Sequence, residues 1–200
     1  MRDIGYGDSS VTTQNKKLNF VLYDRGAAGL PGFAWKIYSK LRVGWVSLGV
    51  TSWKEAYQKI IEKLVAARMG GSKVGIGNLQ IWAHGRPGQC VIGGDSIDVV
   101  GNPLYHFLTR ESLVWFRTCS TFFGDAGDRF AEAAANNLGC VVAGHTRVIA
   151  FPWQSGLYSL RPKQPLYWPT DRGKDWERMV SSMFEPRTIF AGRMSIPKGW

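Results

Sequence analysis

The chain is poor in the side chains that bind metals or staple secreted folds. Its 200 residues include three cysteines (Cys90, Cys119 and Cys140) and three histidines. That odd cysteine count, with no short paired spacing, argues against a disulfide framework and against a zinc knuckle. Free thiols are expected, and no metal or cofactor. Acidic residues are also scarce: 15 Asp and Glu stand against 25 Lys and Arg, a formal charge of +10. The positives are scattered and match no nucleic-acid recognition motif. They imply at most an acidic partner or non-specific nucleic acid. No apolar run is long enough to span a bilayer, because charges interrupt each one. The opening "MRDIGYGDSSVTTQNKK" lacks the apolar middle of a secretory signal. A cytoplasmic location is therefore expected.

What is present is ordinary globular material, 44% hydrophobic and 20% charged, enough for one core. Residues 1–16 read as a flexible leader and 17–200 as one domain. A Trp- and Pro-rich part runs from about 151 to 200. Short, wholly apolar runs predict buried strands at Asn19–Tyr23, around Val43–Leu48, and at Leu79–Ala83, Leu113–Thr118 and Cys140–Ala143. Two amphipathic segments alternate with them. Ser52–Met69 has Ser52 and Glu55 in capping-box spacing, and Asp125–Asn137 ends at Gly139. "QCVIGGDSIDV" predicts a small hairpin. "NPLYHFLT" predicts a short helix with Asn102 as cap and Pro103 at its first position. In the tail, "DRGKDWERMVSSMF" is the one evident helix. The alternation describes an α/β three-layer sandwich: a mostly parallel sheet with helices on both faces.

In such sheets chemistry gathers beyond the carboxyl ends of the strands. Three polar exits lie there: Asp24 with Arg25 after the first strand, His84 in "LQIWAHGRPG", and Cys119 in "LVWFRTCSTFFG". A cysteine nucleophile needs a base or cation to form thiolate, and histidine often serves. Gly85 has no side chain to keep a substrate away, so its N–H and that of Cys119 are candidate oxyanion donors. The helix start after Cys119 is expected to lower the thiol pKa.

A strand ending in His-Gly, followed by a strand ending in Cys, resembles the caspase-like cysteine peptidases, which include caspases, legumain, gingipains, clostripain and separase. The residues that carry the likeness are "IWAHGRPG" and "VWFRTCSTFFGDAGDRFAEAAANNLGCVVAG". The pattern is especially similar to a bacterial caspase-like domain of unassigned function. There the His-Gly segment leads into a Gly-rich hairpin and the Cys segment into a Gly-containing helix. The likeness spans roughly Asn19 to Gly144. It implies His84 as general base and acid, Cys119 as nucleophile, Gly85 and Cys119 as the oxyanion hole, and Asp24 and Arg25 beside the substrate. The implied substrate is a polypeptide, cut through a thioester. The family often carries a small residue before the cysteine, where this chain has Thr118.

Other readings compete. His145 also ends a strand and rivals His84 as base, whereas His106 sits among apolar residues and reads as structural. Cys90 and Cys140 lie inside apolar runs and read as core. Asp95 and Asp98 suit a solvated loop better than a cation site. Trp153, Trp168, Trp176 and Trp200 suit a groove or an interface. A catalytically silent binding or scaffold protein is the main alternative. Another cysteine or serine hydrolase, with "AHGRPG" as an oxyanion loop, is weaker, since "RTCSTF" lacks the Gly-x-nucleophile-x-Gly elbow.

Overall fold

The computed structural model describes residues 16–27, 36, 43–68, 73–168 and 180–200. Along the chain come β1 (Lys16–Asp24), β2 (Val46–Val50), α1 (Trp53–Arg68), β3 (Val74–Trp82), β4 (His84–Arg86), β5 (Gln89–Ile92) and β6 (Asp95–Ser96). A 3₁₀ turn (Pro103–Phe107), β7 (Leu113–Arg117), α2 (Gly124–Leu138), β8 (Val141–His145), β9 (Trp153–Gln154), β10 (Leu157–Leu160) and β11 (Ile189–Phe190) follow. Six strands form the main sheet in the order β2-β1-β3-β7-β8-β10. The first five are parallel, and β10 closes the edge antiparallel to β8. The parallel α/β expectation therefore holds, with an antiparallel edge strand that the tail's composition concealed. The segment β4-β5-β6 is a separate three-stranded antiparallel sheet.

Side chains that alternate along the strands divide the core in two. Phe20, Leu22, Ile76, Ile81, Val114, Phe116 and Val142 face one side, where α1 adds Trp53, Ala56, Ile60 and Leu64, and α2 adds Phe130, Ala131, Ala134 and Leu138. Both described long helices thus cover the same face. The other face carries Val21, Tyr23 and Trp82 against Trp45, and Trp115 and Ala143 against Leu157, Ile189, Ile196 and Trp200. Among the described residues, that face is covered by irregular chain and short strands instead of the helices expected there. The chain reaches it because β10 turns back antiparallel and sends the C-terminal segment across the sheet.

Boundaries moved for identifiable reasons. The strand expected around Val43–Leu48 runs Val46–Val50, and the turn at Gly44, with φ +78°, precedes it. β3 starts at Val74, five residues before the apolar run, because Gly75 and Gly77 diluted the signal. The expected leader ends at Lys16, which is already in β1; the rest of it, 1–15, lies outside the described residues. The tail helix expected at 171–184 also lies outside them over 171–179, and 180–184 is not helical. "NPLYHFLT" forms a 3₁₀ turn, with the Asn102 side chain accepting from Leu104 N.

The α1 start carries a shifted version of the expected cap. Ser52 Oγ accepts from Glu55 N at 3.2 Å, but the Glu55 carboxylate returns to Thr51, accepting from its N–H and its hydroxyl at 2.7 and 2.8 Å. Lys59 sits 2.7 Å from Glu55 Oε1. The Lys59 hydrogen bond, followed by the two from Thr51, holds the carboxyl down at about 2.

Candidate active site

Register sets the heights of the exits. Trp82 of β3 pairs with Arg117 of β7, and Tyr23 of β1 pairs with Trp82. His84 lies two residues beyond Trp82, and Cys119 two beyond Arg117. The two therefore leave neighbouring parallel strands, about 4.8 Å apart, at one level.

The segments behind them are locked together. A Cβ added to Gly85 would stand 2.5 Å from Cys119 O, 2.6 Å from Thr121 Oγ1 and 2.7 Å from Thr118 Cβ. Only glycine permits that approach, so the His-Gly pair is seated directly on the cysteine loop. Gly88 N donates to Thr121 O at 3.1 Å, and Thr121 Oγ1 donates to Gln89 O at 3.2 Å. The hydroxyls of Thr118 and Thr121 bond to each other. Thr118 thus helps staple the loop shut. On the far side, Ser120 N donates to Arg147 O and Phe122 N to His145 O, at 2.8 and 3.0 Å. Ser120 takes φ +50°, a left-handed conformation that costs about 1–3 kcal/mol and persists where surrounding bonds impose it.

His84 is exposed on β4, opposite Val91 of β5. Cys119 is the only cysteine that is not fully buried. Its thiol is nevertheless pushed up by burial, partly offset by a hydrogen bond to Ile149 O at 3.8 Å. The expected lowering by the α2 start does not prevail: desolvation outweighs it, and Cys119 rests as a thiol at neutral pH. Cys90 and Cys140 are core residues, as expected. Burial pushes both thiols up, that of Cys140 to about 12.

Asp24 is buried at the end of β1. Its Oδ1 accepts from Gly26 N at 2.8 Å, and its Oδ2 from Gly93 N at 3.4 Å. It ties the hairpin that starts at His84 to the first strand. Arg25 is exposed and lies 3.6 Å from Glu55 Oε1. His145, the rival base, is spoken for. Its Nδ1–H donates to Ser155 O at 3.0 Å, and Nε2 accepts from Trp115 Nε1 at 3.3 Å. Burial holds this imidazole neutral, with its pKa down at about 3. His106 is exposed at the opposite end of the sheet, edge-on to Tyr105. The Asp98 carboxylate caps Val100 N. Among the described residues, no three His, Cys, Asp or Glu side chains gather to hold a metal.

Sequence reasoning overlooked Arg117. This guanidinium is fully buried, between the Trp82 and Trp115 rings at 4.5 and 4.4 Å. It donates to Gln80 and Gln154 side chains and to the carbonyls of Ala191 and Arg193. A charge inside an apolar strand, two residues before the cysteine, was the available signal. Of the tail tryptophans, Trp168 is buried, stacked on Phe122 and bonded to Asp128 Oδ1 at 2.8 Å. Trp153 packs edge-on to Phe190, and Trp200 closes the second core. Trp176 lies outside the described residues.

No family model, no curated protein and no solved structure matches the chain. No helix among the described residues is long and apolar enough to cross a membrane.

Proposed function

We propose that the chain is a caspase-like cysteine peptidase with His84 and Cys119 as its dyad. The observation that carries this reading is the seating of Gly85 on the Cys119 carbonyl, at the edge where two adjacent parallel strands end level. Cys119 Sγ attacks the scissile carbonyl as its proton passes to His84. The tetrahedral oxyanion takes hydrogen bonds from the Gly85 and Cys119 N–H groups. His84 then gives the proton to the departing amine, leaving a thioester on Cys119. Water, deprotonated by His84, attacks the thioester, and the acid product leaves as the thiol is restored. The resting thiol suits a mechanism in which His84 accepts the proton during attack. Asp24 acts in this scheme by fixing the hairpin, with Arg25 as the exposed group nearest it in sequence on the substrate side.

The Cys119 thiol is largely desolvated and donates to Ile149 O at 3.8 Å, and this engagement of the sulfur with the protein's own backbone favours a second reading, a catalytically silent scaffold of the same architecture. One experiment separates them. The protein is treated with peptidyl acyloxymethyl ketones varied at the residue next to the warhead, and the modified site is mapped by mass spectrometry. The peptidase reading expects the label on Cys119 alone, and slower labelling in His84→Ala. A label on Cys90 or Cys140, or an unchanged rate in His84→Ala, overturns it in favour of the scaffold.

A further inference from the structure

The far end of the sheet holds a groove that the dyad does not use. At the amino ends of the parallel strands, Lys16, Lys17, Arg68, Lys73, His106 and Phe107 line an open depression of about 620 Å³. Lys16 and Lys17 begin β1, Lys73 precedes β3, and Arg68 ends α1. β3 is nine residues long. At about 3.3 Å per residue, the groove therefore sits roughly 30 Å from the His84–Cys119 edge. Among the described residues one acid opposes this charge: Glu111 lies 3.9 Å from Lys17 Nζ, which also donates to Thr109 Oγ1 at 3.3 Å. Lys16, Lys73 and Arg68 are solvent-exposed.

Two features give the groove more than net charge. Its cations come from three separate segments, the start of β1, the end of α1 and the approach to β3, which suits a chain of anions better than one ion. The Arg68 guanidinium carbon lies 5.2 Å from the centre of the Phe107 ring, over its face, and the arginine is exposed to solvent. Nucleic-acid bases stack on the faces of guanidinium groups and aromatic rings, whereas the carboxylates of an acidic polypeptide bond to the guanidinium edge and leave the face unused. A concave site also admits a single strand, while duplex is read by elements that protrude into its grooves.

We propose that this groove binds single-stranded nucleic acid, with Lys16, Lys17 and Lys73 on phosphates and Arg68 under a base. The site is independent of the dyad, and its readout requires no peptidase activity. The test is fluorescence anisotropy of the full chain with a short labelled oligonucleotide of mixed sequence, in DNA and RNA forms, across a salt series. Unlabelled strand, the same sequence as duplex, and polyglutamate serve as competitors. With about four cations engaged, log K should fall against log salt with a slope near −3. Lys16→Ala/Lys73→Ala, at two exposed positions away from the core, should cut that slope by about 1.4–2. Arg68→Lys keeps the charge and loses the plane, so it should weaken binding with little change in slope. Cys119→Ala should bind as the parent chain does. No salt-sensitive binding, or an unchanged slope in the double lysine variant, overturns the proposal. So does stronger competition by duplex or by polyglutamate, the latter pointing to an acidic polypeptide.

Discussion

Replacing Gly85 with alanine tests the seating of the hairpin more directly than any change to the dyad itself. The new methyl meets three atoms at 2.5, 2.6 and 2.7 Å, each about 0.7–0.9 Å inside ordinary van der Waals contact. One is a backbone oxygen and one a β-carbon, so rotating a flexible tip cannot relieve all three. Accommodation by local strain costs about 1–3 kcal/mol. The other route lifts the hairpin off the loop. It breaks the Gly88–Thr121 and Thr121–Gln89 hydrogen bonds, at about 0.5–1.5 kcal/mol each. Both routes lead to a similar loss. For a domain of this size that lowers Tm by roughly 2–12 °C. Thermal unfolding followed by circular dichroism reads the stability, and the rate of peptidyl labelling at Cys119 reads the site. Both should fall together. His84→Ala should separate them: its side chain is exposed, so stability should hold within about 0.5 kcal/mol. Labelling should still slow, by as much as the 10²–10⁴-fold typical of a lost general base. If Gly85→Ala melts within a degree of the parent and labels at the parent rate, the hairpin does not rest on the cysteine loop and the argument for the dyad fails.

Two further outcomes follow from buried titrating groups. His145 is neutral when folded, with its pKa held at about 3, against 6.5 in an open chain. The unfolded state therefore binds the extra proton between those values, and stability declines as pH falls from 6.5 toward 3, at up to about 1.4 kcal/mol per pH unit. An NMR titration of the imidazole should show no midpoint above pH 5, and a midpoint near 6.5 refutes its burial. Cys119, pushed up by desolvation, should alkylate with iodoacetamide at a rate that keeps rising past the ordinary thiol range. A plateau below pH 7 would reveal a resting thiolate instead.

The parallel strands and both described helices were legible because their signals are dense. β7 is apolar at four of its five positions, and α2 repeats small and aromatic residues at helical spacing. The two exits were legible for the same reason, since each ends such a run. What escaped was information carried by partners distant in sequence. Nothing around Leu157–Leu160 announces an antiparallel edge strand, because its pairing depends on β8. Nothing around His145 reports that Ser155 and Trp115 occupy both ring nitrogens. Nothing around Asp24 announces its acceptor role toward Gly93, which spans 69 residues. The thiol of Cys119 was misjudged in direction, since a helix start can be read from local sequence and desolvation cannot.

Arg117 bears on how the chain matures during synthesis. Its guanidinium is buried two residues before Cys119, and two of its acceptors are the carbonyls of Ala191 and Arg193. A ribosome that has delivered β7 and β8 has still to deliver those acceptors. Until they arrive, a charge in the second core has lost part of its hydrogen bonding, and a buried ion so left is costly by several kcal/mol. The end of β7 therefore gains its full set of partners only after more than seventy further residues have been made, later than the cysteine loop beside it, whose own partners end at Ile149.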